Sequence, residues 1–378
     1  MPHKEEKEEA APSPREFTPN QHPEFPDGFP TVALETISLA KLLIPKNKNE
    51  SGDGGEAERE RERERDRVFE ACKGRGFFYL DLTGCAAGET ISRGADRAAA
   101  VAEDVFRLTL EEKMVYRLEA GGGSLDGYKV RGATLADPSG VKDTAEFFNV
   151  GKNEMILPED QMKKNWPEPI MASKALFKDY IETAHGIGLS ILGILATKLG
   201  VDPAEFDSRH RIEEQSGDHV RLTRGPPREK EELPEIQTPS HTDFGTITIL
   251  MNWLGGLQVW SESSRRAELL NHEPDVPGEW LWVKPKKGCA IVNLGDAAVK
   301  FTNGVLCAGR HRVIPAPGVQ GKYPRYSIVY FVRPENQCIM KQFRGPGIPD
   351  GPEEEELITA GEWIKKQATG LGIQFRER

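Results

Sequence analysis

The chain has 378 residues, of which 37% are hydrophobic, enough to bury the core of one large domain with added helices. Its formal charge of −10 argues against nucleic acid or an anionic membrane surface as the main partner. No segment approaches the ~20 consecutive apolar residues of a membrane span, and the charged N-terminal sequence lacks the apolar run of a signal peptide, so a cytoplasmic location is predicted.

The N-terminal half is predicted to be mainly helical. Residues 1–27 are rich in Pro, Glu and Lys, which is typical of a flexible arm. The following unit, 28–213, begins with a short strand and a helical turn within 29–43. It contains a low-complexity insertion at 46–67, whose Gly-rich first half is predicted to be a loop. The Glu/Arg alternation from Glu58 onward predicts a solvated extension of the next helix.

Apolar periodicity predicts the further helices and strands of this half, and glycines mark where they end. The pattern predicts a helix ending at Lys73, a strand at 77–82, helices at 95–108 and 111–118, and a mobile Gly-rich loop at 121–132. The segment 170–199 is the longest helix candidate and has a broad apolar face.

From residue 214 the pattern changes to short strand-like runs separated by Gly, Pro, Asn or Asp. The runs are HVRLTRG, GTITILM, GGLQVW, EWLWVKP, CAIVNLG and RYSIVYFV. They predict an antiparallel double-stranded β-helix (jelly roll) over 214–335, with the helical half packed around it. The predicted fold class is therefore mainly β with α, and 336–378 form a C-terminal extension.

Three side chains form a candidate metal site. His241 and Asp243 are two residues apart, immediately before a β-run, and an extended backbone turns such side chains to the same face. His311 also precedes a strand-like run and is the predicted third ligand. Two neutral imidazoles and one carboxylate leave up to three coordination positions open and favour Fe(II) for oxygen chemistry.

The ligand types alone leave other interpretations open. An isolated His-x-Asp is often a surface hydrogen-bonded pair, and catalytic zinc also uses two histidines with a carboxylate. A structural zinc site would instead use thiolates, and the five cysteines are scattered without CxxC spacing, which predicts buried free thiols.

The segments around these residues resemble the iron(II)/2-oxoglutarate-dependent dioxygenases of the isopenicillin N synthase-like branch, and their local sequences are similar to those of fungal members. The matching segments are HTDFGTITIL (241–250), GGLQVW (255–260), WLWVKPKKGCAIVNLGDAAVKFTNGVL (280–306), HRV (311–313) and RYSIVYF (325–331), preceded by ACKGRGFFYL (71–80), LEEKM (110–114), GYKVRG (127–132) and DTAEFFNV (143–150). The resemblance implies that His241, Asp243 and His311 are the iron ligands. It also implies that 28–213 is the helical N-terminal domain of such enzymes.

Arg325 and Ser327 match the RxS pair of this family, which holds the distal carboxylate of 2-oxoglutarate. A planar guanidinium binds a carboxylate bidentately, and a hydroxyl two residues along the same strand face adds a hydrogen bond.

The strand before the His-x-Asp departs from the family pattern. Family members often carry Asn-x-Tyr there, and the tyrosine contacts the cosubstrate, whereas this chain has Thr223 and Gly225 at those positions. The tyrosine contact is therefore predicted to be absent. Thr223 is kept as a cosubstrate residue, with Arg221 and Arg224 as alternatives for the missing contact.

The resemblance implies hydroxylation, desaturation or ring rearrangement of a small organic molecule, with Fe(II) as cofactor and 2-oxoglutarate and O2 as cosubstrates, in secondary metabolism. Oligomeric state is left open. Five residues of the Gly-rich loop and the barrel mouth are candidate substrate residues: Tyr128, Arg131, Phe244, Thr246 and Asn303. Asn303 is followed by Gly304, and this pair is also a hairpin-turn signal.

Three alternatives are retained. A related iron oxidase that takes all its electrons from the substrate would use Arg325 and Ser327 to bind a substrate carboxylate and would form no succinate. A binding or scaffold protein that has lost its enzymatic activity would be expected to lack one or more of the three metal ligands. A zinc hydrolase on a similar barrel would be distinguished from an iron enzyme by metal analysis.

Overall fold

The computed structural model describes residues 22–44, 55–118, 125–135, 140–228, 235–262, 277–351 and 357–370. Residues 1–21 of the predicted arm and the Gly-rich 45–54 lie outside the described residues, as do 263–276 of the polar segment between two predicted strands.

The strands of the described residues form two sheets. They are β1 (Thr36–Ser38), β2 (Phe77–Asp81), β3 (Gly127–Lys129), β4 (Glu146–Gly151), β5 (His219–Gly225), β6 (Thr238–His241), β7 (Ile247–Asn252), β8 (Leu257–Trp260), β9 (Trp280–Trp282), β10 (Cys289–Leu294), β11 (His311–Val313) and β12 (Arg325–Val332). The main sheet has the order β1-β2-β10-β7-β12-β5-β4-β3, and the minor sheet has the order β6-β11-β8-β9. The six strand runs predicted after residue 214 are all present, and the jelly-roll prediction is confirmed.

Alternation along the strands gives the main sheet two different faces. Its outer face packs against the helices, and on β12 this face carries Tyr326, Ile328, Tyr330 and Val332. Its inner face looks toward the minor sheet, and there a smaller apolar cluster contains Phe77, Tyr79, Leu250, Leu257, Val259, Val283 and Ile291. The alternate residues of β12, from Arg325 to Phe331, therefore line the interior of the jelly roll.

The helices cover the outer face and the ends of the sheets. They are α1 (Leu39–Leu42), α2 (Glu56–Gly74), α3 (Ala86–Arg107), α4 (Leu110–Met114), α5 (Lys152–Ile156), α6 (Glu168–Met171), α7 (Lys174–Leu199), α8 (Ala204–Asp207), α9 (Asp296–Phe301) and α10 (Ala360–Gly370). By length and composition α7 could cross a membrane, but most of its apolar residues are buried in the core against α3 and the main sheet.

The charged helix α2 differs from the solvated extension that its sequence predicts. Arg61 is 2% exposed and donates to the carbonyl of Ile44 at 3.0 Å and to Glu58. Glu64 is also buried and accepts from Arg67 at 2.9 Å. A helix of alternating charges can therefore bury one face, because each buried charge has a partner on the same helix or in the adjoining turn.

Three local predictions are corrected. The helix predicted to start at Ala95 begins at Ala86, because Cys85 is extended and the preceding glycine ends the strand region. The predicted loop 121–132 contains β3, which pairs with β4. Asn303 is not in a hairpin: its φ of 47° places it in the turn that ends α9, followed by Gly304.

Candidate metal centre

The minor sheet brings the three predicted ligands together. His241 is the last residue of β6 and pairs directly with His311 on β11, while Asp243 lies two residues after His241. The ligand atoms of the three side chains lie within 4.8 Å of one another. Asp243 Oδ1 is 3.7 Å from His241 Nε2 and 3.8 Å from His311 Nε2.

Hydrogen bonds leave one donor atom of each residue free for a metal. Nδ1 of His241 donates to the carbonyl of Pro239 at 2.8 Å, and Nδ1 of His311 donates to that of Gly309 at 3.1 Å. A carbonyl only accepts, so Nδ1 of both histidines carries a proton, and Nε2 is the ring nitrogen left to face a metal. Asp243 Oδ2 accepts from Thr248 Oγ1 and Asn293 Nδ2, each at 2.7 Å, which leaves Oδ1 to face the two Nε2 atoms. This donor set fits a divalent ion with open positions.

The electrostatics of the three residues agree with a metal site. Burial and the neighbouring His311 lower the pKa of His241 to about 3, so its imidazole is neutral at neutral pH. Burial alone would raise the pKa of Asp243, but the two histidines and the bonds from Asn293 and Thr248 outweigh it and lower that pKa. Asp243 is therefore an anion beside the neutral imidazole of His241, the protonation states that metal binding requires of these two groups.

The predicted cosubstrate residues lie together on the inner face. Ser327 pairs with Thr223 and Arg325 with Gly225 across β12 and β5, so all four positions share one face. Arg325 is 2% exposed, and its Nε donates to the carbonyl of Gly255 at 2.8 Å. Burial lowers the pKa of Arg325 to about 10, which still leaves it charged at neutral pH. Among the described residues, no carboxylate forms an ion pair with Arg325.

Gly225 has a specific steric role. A Cβ at Gly225 would overlap Oε1 of Gln237, because the Gln237 side chain occupies that space. Gln237 is buried, and its Nε2 donates to the carbonyl of Pro226 at 3.1 Å. A glutamine from the approach to β6 therefore fills the volume where the family tyrosine would begin.

The two arginines predicted as alternatives lie on opposite faces of β5. Arg224 is on the outer face, where it forms an ion pair with Glu146 at 3.0 Å. Arg221 is on the inner face, and its Nε donates to Asn149 Oδ1 at 2.8 Å.

The five predicted substrate residues do not form one group. Tyr128 is buried on the outer face, and its hydroxyl donates to Glu146 at 2.5 Å. Thr246 bonds with His210 Nε2 at 2.6 Å in the core. The exposed Asn303 donates to the carbonyls of Pro349 and Asp350, and Arg131 is exposed. Phe244, next to Asp243, lies beside the guanidinium of Arg333 at 5.9 Å.

Thr248 and Asn293 were missed as site residues. Both are polar residues at inward positions of mainly apolar strands, β7 and β10. A polar side chain in such a run is the signal that could have identified them, since buried polar groups need a partner.

Comparisons with known proteins identify the family. Residues 44–169 match the family described as the non-haem dioxygenase in morphine synthesis N-terminal, and residues 216–334 match the 2OG-Fe(II) oxygenase superfamily. A 2-oxoglutarate-dependent dioxygenase of Aspergillus fumigatus is 32% identical, covering 90% of this chain and 86% of the relative. Another, from a Dothideomycetidae species, is 29% identical over 74% of this chain and 79% of the relative.

The fold is shared with solved structures. A full-length Neurospora crassa protein, crystallised in complex with α-ketoglutarate, has a TM-score of 0.69 and 20% identity, covering 94% of this chain and 100% of its own. The chain thus belongs to the 2OG-Fe(II) oxygenase superfamily and is an oxidoreductase of the 2-oxoglutarate-dependent dioxygenase type, with Fe(II) as cofactor and 2-oxoglutarate as cosubstrate. This membership favours Fe(II) over zinc and does not favour the iron oxidase alternative.

Proposed function

We propose that His241, Asp243 and His311 hold Fe(II), that Arg325, Ser327 and Thr223 receive 2-oxoglutarate, and that the enzyme oxidises a C–H bond of a small organic molecule. In the simplest outcome, substrate, O2 and 2-oxoglutarate give hydroxylated substrate, succinate and carbon dioxide. The fungal relatives favour secondary metabolism as the setting, and the cytoplasmic location stays a prediction from the sequence.

The observation that carries this proposal is the convergence of three donor atoms whose other polar atoms are already bonded. Each Nδ1 is fixed by a carbonyl and Asp243 Oδ2 by two donors, so the remaining lone pairs point to one place. Bound there, Fe(II) would supply the redox chemistry with O2, while the protein positions the reactants and excludes water.

The buried Arg325 supports the cosubstrate assignment. A guanidinium held by one backbone carbonyl still has donors available, and burial strengthens its attraction for a carboxylate. Ser327 Oγ lies 3.4 Å from Arg325 Nη1 and offers a hydroxyl to the same ligand. Thr223, directly across from Ser327, supplies a second hydroxyl on this face.

The test is a cosubstrate balance on protein purified without oxygen and loaded with Fe(II). Candidate small molecules are supplied with 2-oxoglutarate and O2, and succinate is measured against oxidised product. One succinate for each product is expected. Product formed without stoichiometric succinate would contradict the proposal and support the oxidase, and activity retained by His241→Ala would remove the triad from the reaction.

A further inference from the structure

A second group of basic side chains lies on the inner face, around the ring of Phe331. The guanidinium carbon of Arg221 is 4.9 Å from the ring centroid, and that of Arg333 is 5.4 Å from it. The imidazole of His219 is 4.9 Å from the same centroid. Phe331 pairs with Thr248, whose hydroxyl bonds to Asp243, so this group adjoins the metal centre.

Arg221 is held in place but not neutralised. Its guanidinium stacks on Phe147 at 4.1 Å, and its Nε donates to the neutral amide of Asn149. Its two Nη nitrogens make no hydrogen bond within the described part of the chain, and no carboxylate there forms an ion pair with it. Four N–H donors of a charged group thus remain available.

Arg333 is buried, at 3% exposure, whereas Arg221 is half-buried. Its side chain runs between two glycines: a Cβ on Gly245 would lie 3.0 Å from Arg333 Cγ, and one on Gly217 would lie 3.2 Å from its Cδ. The Nε and Nη1 atoms are buried without a hydrogen-bond partner among the described residues. Gly245 follows Asp243 by two residues, so the stem of Arg333 passes beside the metal-binding loop.

The nearby anions have other partners. Asp218 accepts the backbone N–H of Arg333 at 2.8 Å and the hydroxyl of Tyr330 at 3.0 Å, but it forms no ion pair with the guanidinium. Asp218, Asp243 and Asp126 act on Arg333 only at longer range, and burial lowers the pKa of Arg333 to about 10. Lys129 offers the contrast, because this cation on the same face does have its own carboxylate, Asp143.

Charge balance indicates that Arg221 and Arg333 do not belong to the proposed cosubstrate site. Fe(II) with Asp243 and Arg325 would carry two net positive charges, which the two carboxylates of 2-oxoglutarate would neutralise. The half-buried Arg221 and the buried Arg333 would remain as cations without a matching anion, an arrangement that is costly unless a ligand provides one. Arg333 directly follows β12 and is eight residues from Arg325, so their Cα atoms are about 26 Å apart along an extended chain, a span that one five-carbon diacid does not bridge.

We propose that Arg221 and Arg333 bind a carboxylate of the substrate, so that the enzyme acts on small carboxylic acids. The rings of Phe147, Phe244 and Phe331, which lie beside these guanidinium groups, would pack against the apolar part of the same molecule. This inference rests on the proposed function, since it assigns the substrate class of the same site.

His219 adds a second recognition element. Its Nδ1 donates to the carbonyl of Gly217 at 2.9 Å, and its Nε2 is buried without a partner among the described residues. Burial and the two arginines hold the pKa of His219 well below its usual range, so the ring is neutral. The bare Nε2 is then an acceptor suited to a hydroxyl or N–H group of the substrate.

The test compares acids with their amides on protein loaded with Mn(II) and 2-oxoglutarate. Benzoate, phenylacetate and 3-phenylpropionate, each with its primary amide, are titrated by calorimetry. At least one acid is expected to bind about tenfold or more tightly than its amide, as a charge-assisted hydrogen bond provides. The preference should disappear in Arg221→Gln and in Arg333→Gln.

Arg224→Gln is the matched control, because Arg224 is on the same strand as Arg221 but faces the helices. It should keep the preference, and all three variants should bind 2-oxoglutarate as the unmodified protein does. Amides that bind as well as acids, no acid binding to protein that binds 2-oxoglutarate, or an Arg221→Gln variant that loses 2-oxoglutarate instead would each overturn the inference. A protein that binds neither Mn(II) nor 2-oxoglutarate would instead refute the proposed function.

Discussion

The two faces of the main sheet differ in whether their buried charged side chains have partners within the protein. On the outer face, Glu146 is bonded by Lys113 at 2.8 Å, by Tyr128 at 2.5 Å and by Arg224 at 3.0 Å. Every charge in that group has a partner within the protein. Its role is therefore to hold β3, β4 and β5 against the α3–α4 region.

On the inner face, the buried polar groups are only partly bonded. Asp243 keeps one oxygen free, Arg325 has no carboxylate, and Arg333 has two unpartnered nitrogens among the described residues. Since proteins rarely bury polar groups without partners, such a group indicates that ligands complete the bonding. The comparison teaches that the face with incomplete hydrogen bonding is the functional one.

The same carboxylate-to-amide change on each face should give the largest contrast. Asp243→Asn is expected to lower metal affinity and 2-oxoglutarate-dependent turnover by more than the roughly 100-fold upper range of outer-shell changes. Glu146→Gln is the control and should leave metal affinity unchanged while reducing thermal stability. Iron content and succinate formation measure the first effect, and thermal unfolding measures the second. Normal iron content in Asp243→Asn would contradict the conclusion that the inner-face carboxylate binds the metal and the outer-face carboxylate does not.

Arginine removal extends the comparison to the cosubstrate. Arg325→Met is expected to raise the KM for 2-oxoglutarate by about 10- to 100-fold, because hydrogen bonds to charged groups contribute roughly 1.5–3 kcal/mol. Arg224→Met, on the outer face, should leave that KM unchanged. Steady-state succinate formation at varied 2-oxoglutarate provides both values. An equal KM in the two variants would assign the cosubstrate carboxylate to another residue.

The supporting bonds of Asp243 should have a smaller effect. Asn293→Ala and Thr248→Ala each remove a donor to Asp243 Oδ2, and outer-shell changes of this kind typically cost about 10- to 100-fold in metal affinity. Thr197→Ala, whose hydroxyl bonds within α7, is the control and should not change it. Competition with a chelator measures the affinities. Unchanged affinity in both site variants would show that Oδ2 needs no support.

Much of this organisation could be predicted from the sequence, for physical reasons. The strands after residue 214 are short apolar runs between turn residues, and two histidines with one carboxylate form a donor set that suits Fe(II), although an isolated His-x-Asp is often a hydrogen-bonded pair. Residue type and spacing therefore predicted a metal site at His241, Asp243 and His311, and the resemblance added its assignment to iron and the RxS pair of Arg325 and Ser327. That the three ligands meet in space could be predicted only because the resemblance implied the order of the strands.

The rest depended on which face a residue occupies. Tyr128 and Arg224 lie on the outer face, and Arg221 and Thr223 on the inner, because strand register fixes the side and a shift of one residue reverses it. Gln237 could not be predicted as the group that fills the tyrosine position, since it comes from the segment leading into β6 of the other sheet. Long-range packing of this kind leaves no local pattern.

Gly225 tests that packing directly. Gly225→Ala would place a Cβ against Gln237 and should reduce stability by roughly 1–3 kcal/mol, the usual range for overpacking. Adding Gln237→Ala should relieve much of the loss, which a double-mutant cycle of unfolding free energies measures. Additive losses would show that the two residues do not compete for this space.

The smallest expected effect is the acid sensitivity contributed by the outer face. Burial alone would raise the pKa of Glu146, but hydrogen bonds from Lys113, Tyr128 and Arg224 outweigh it and lower the pKa below its ordinary 4.5. A carboxyl whose pKa is lowered by folding stabilises the protein fully above the unfolded pKa, and loses that contribution as the pH falls toward the folded value. The difference in unfolding free energy between the unmodified protein and Glu146→Gln should therefore be constant near neutral pH and shrink below about pH 4.5. A difference that stayed constant through the acid range would mean that Glu146 has the same pKa in the folded and unfolded chain, and that the outer face is less completely bonded than its contacts indicate.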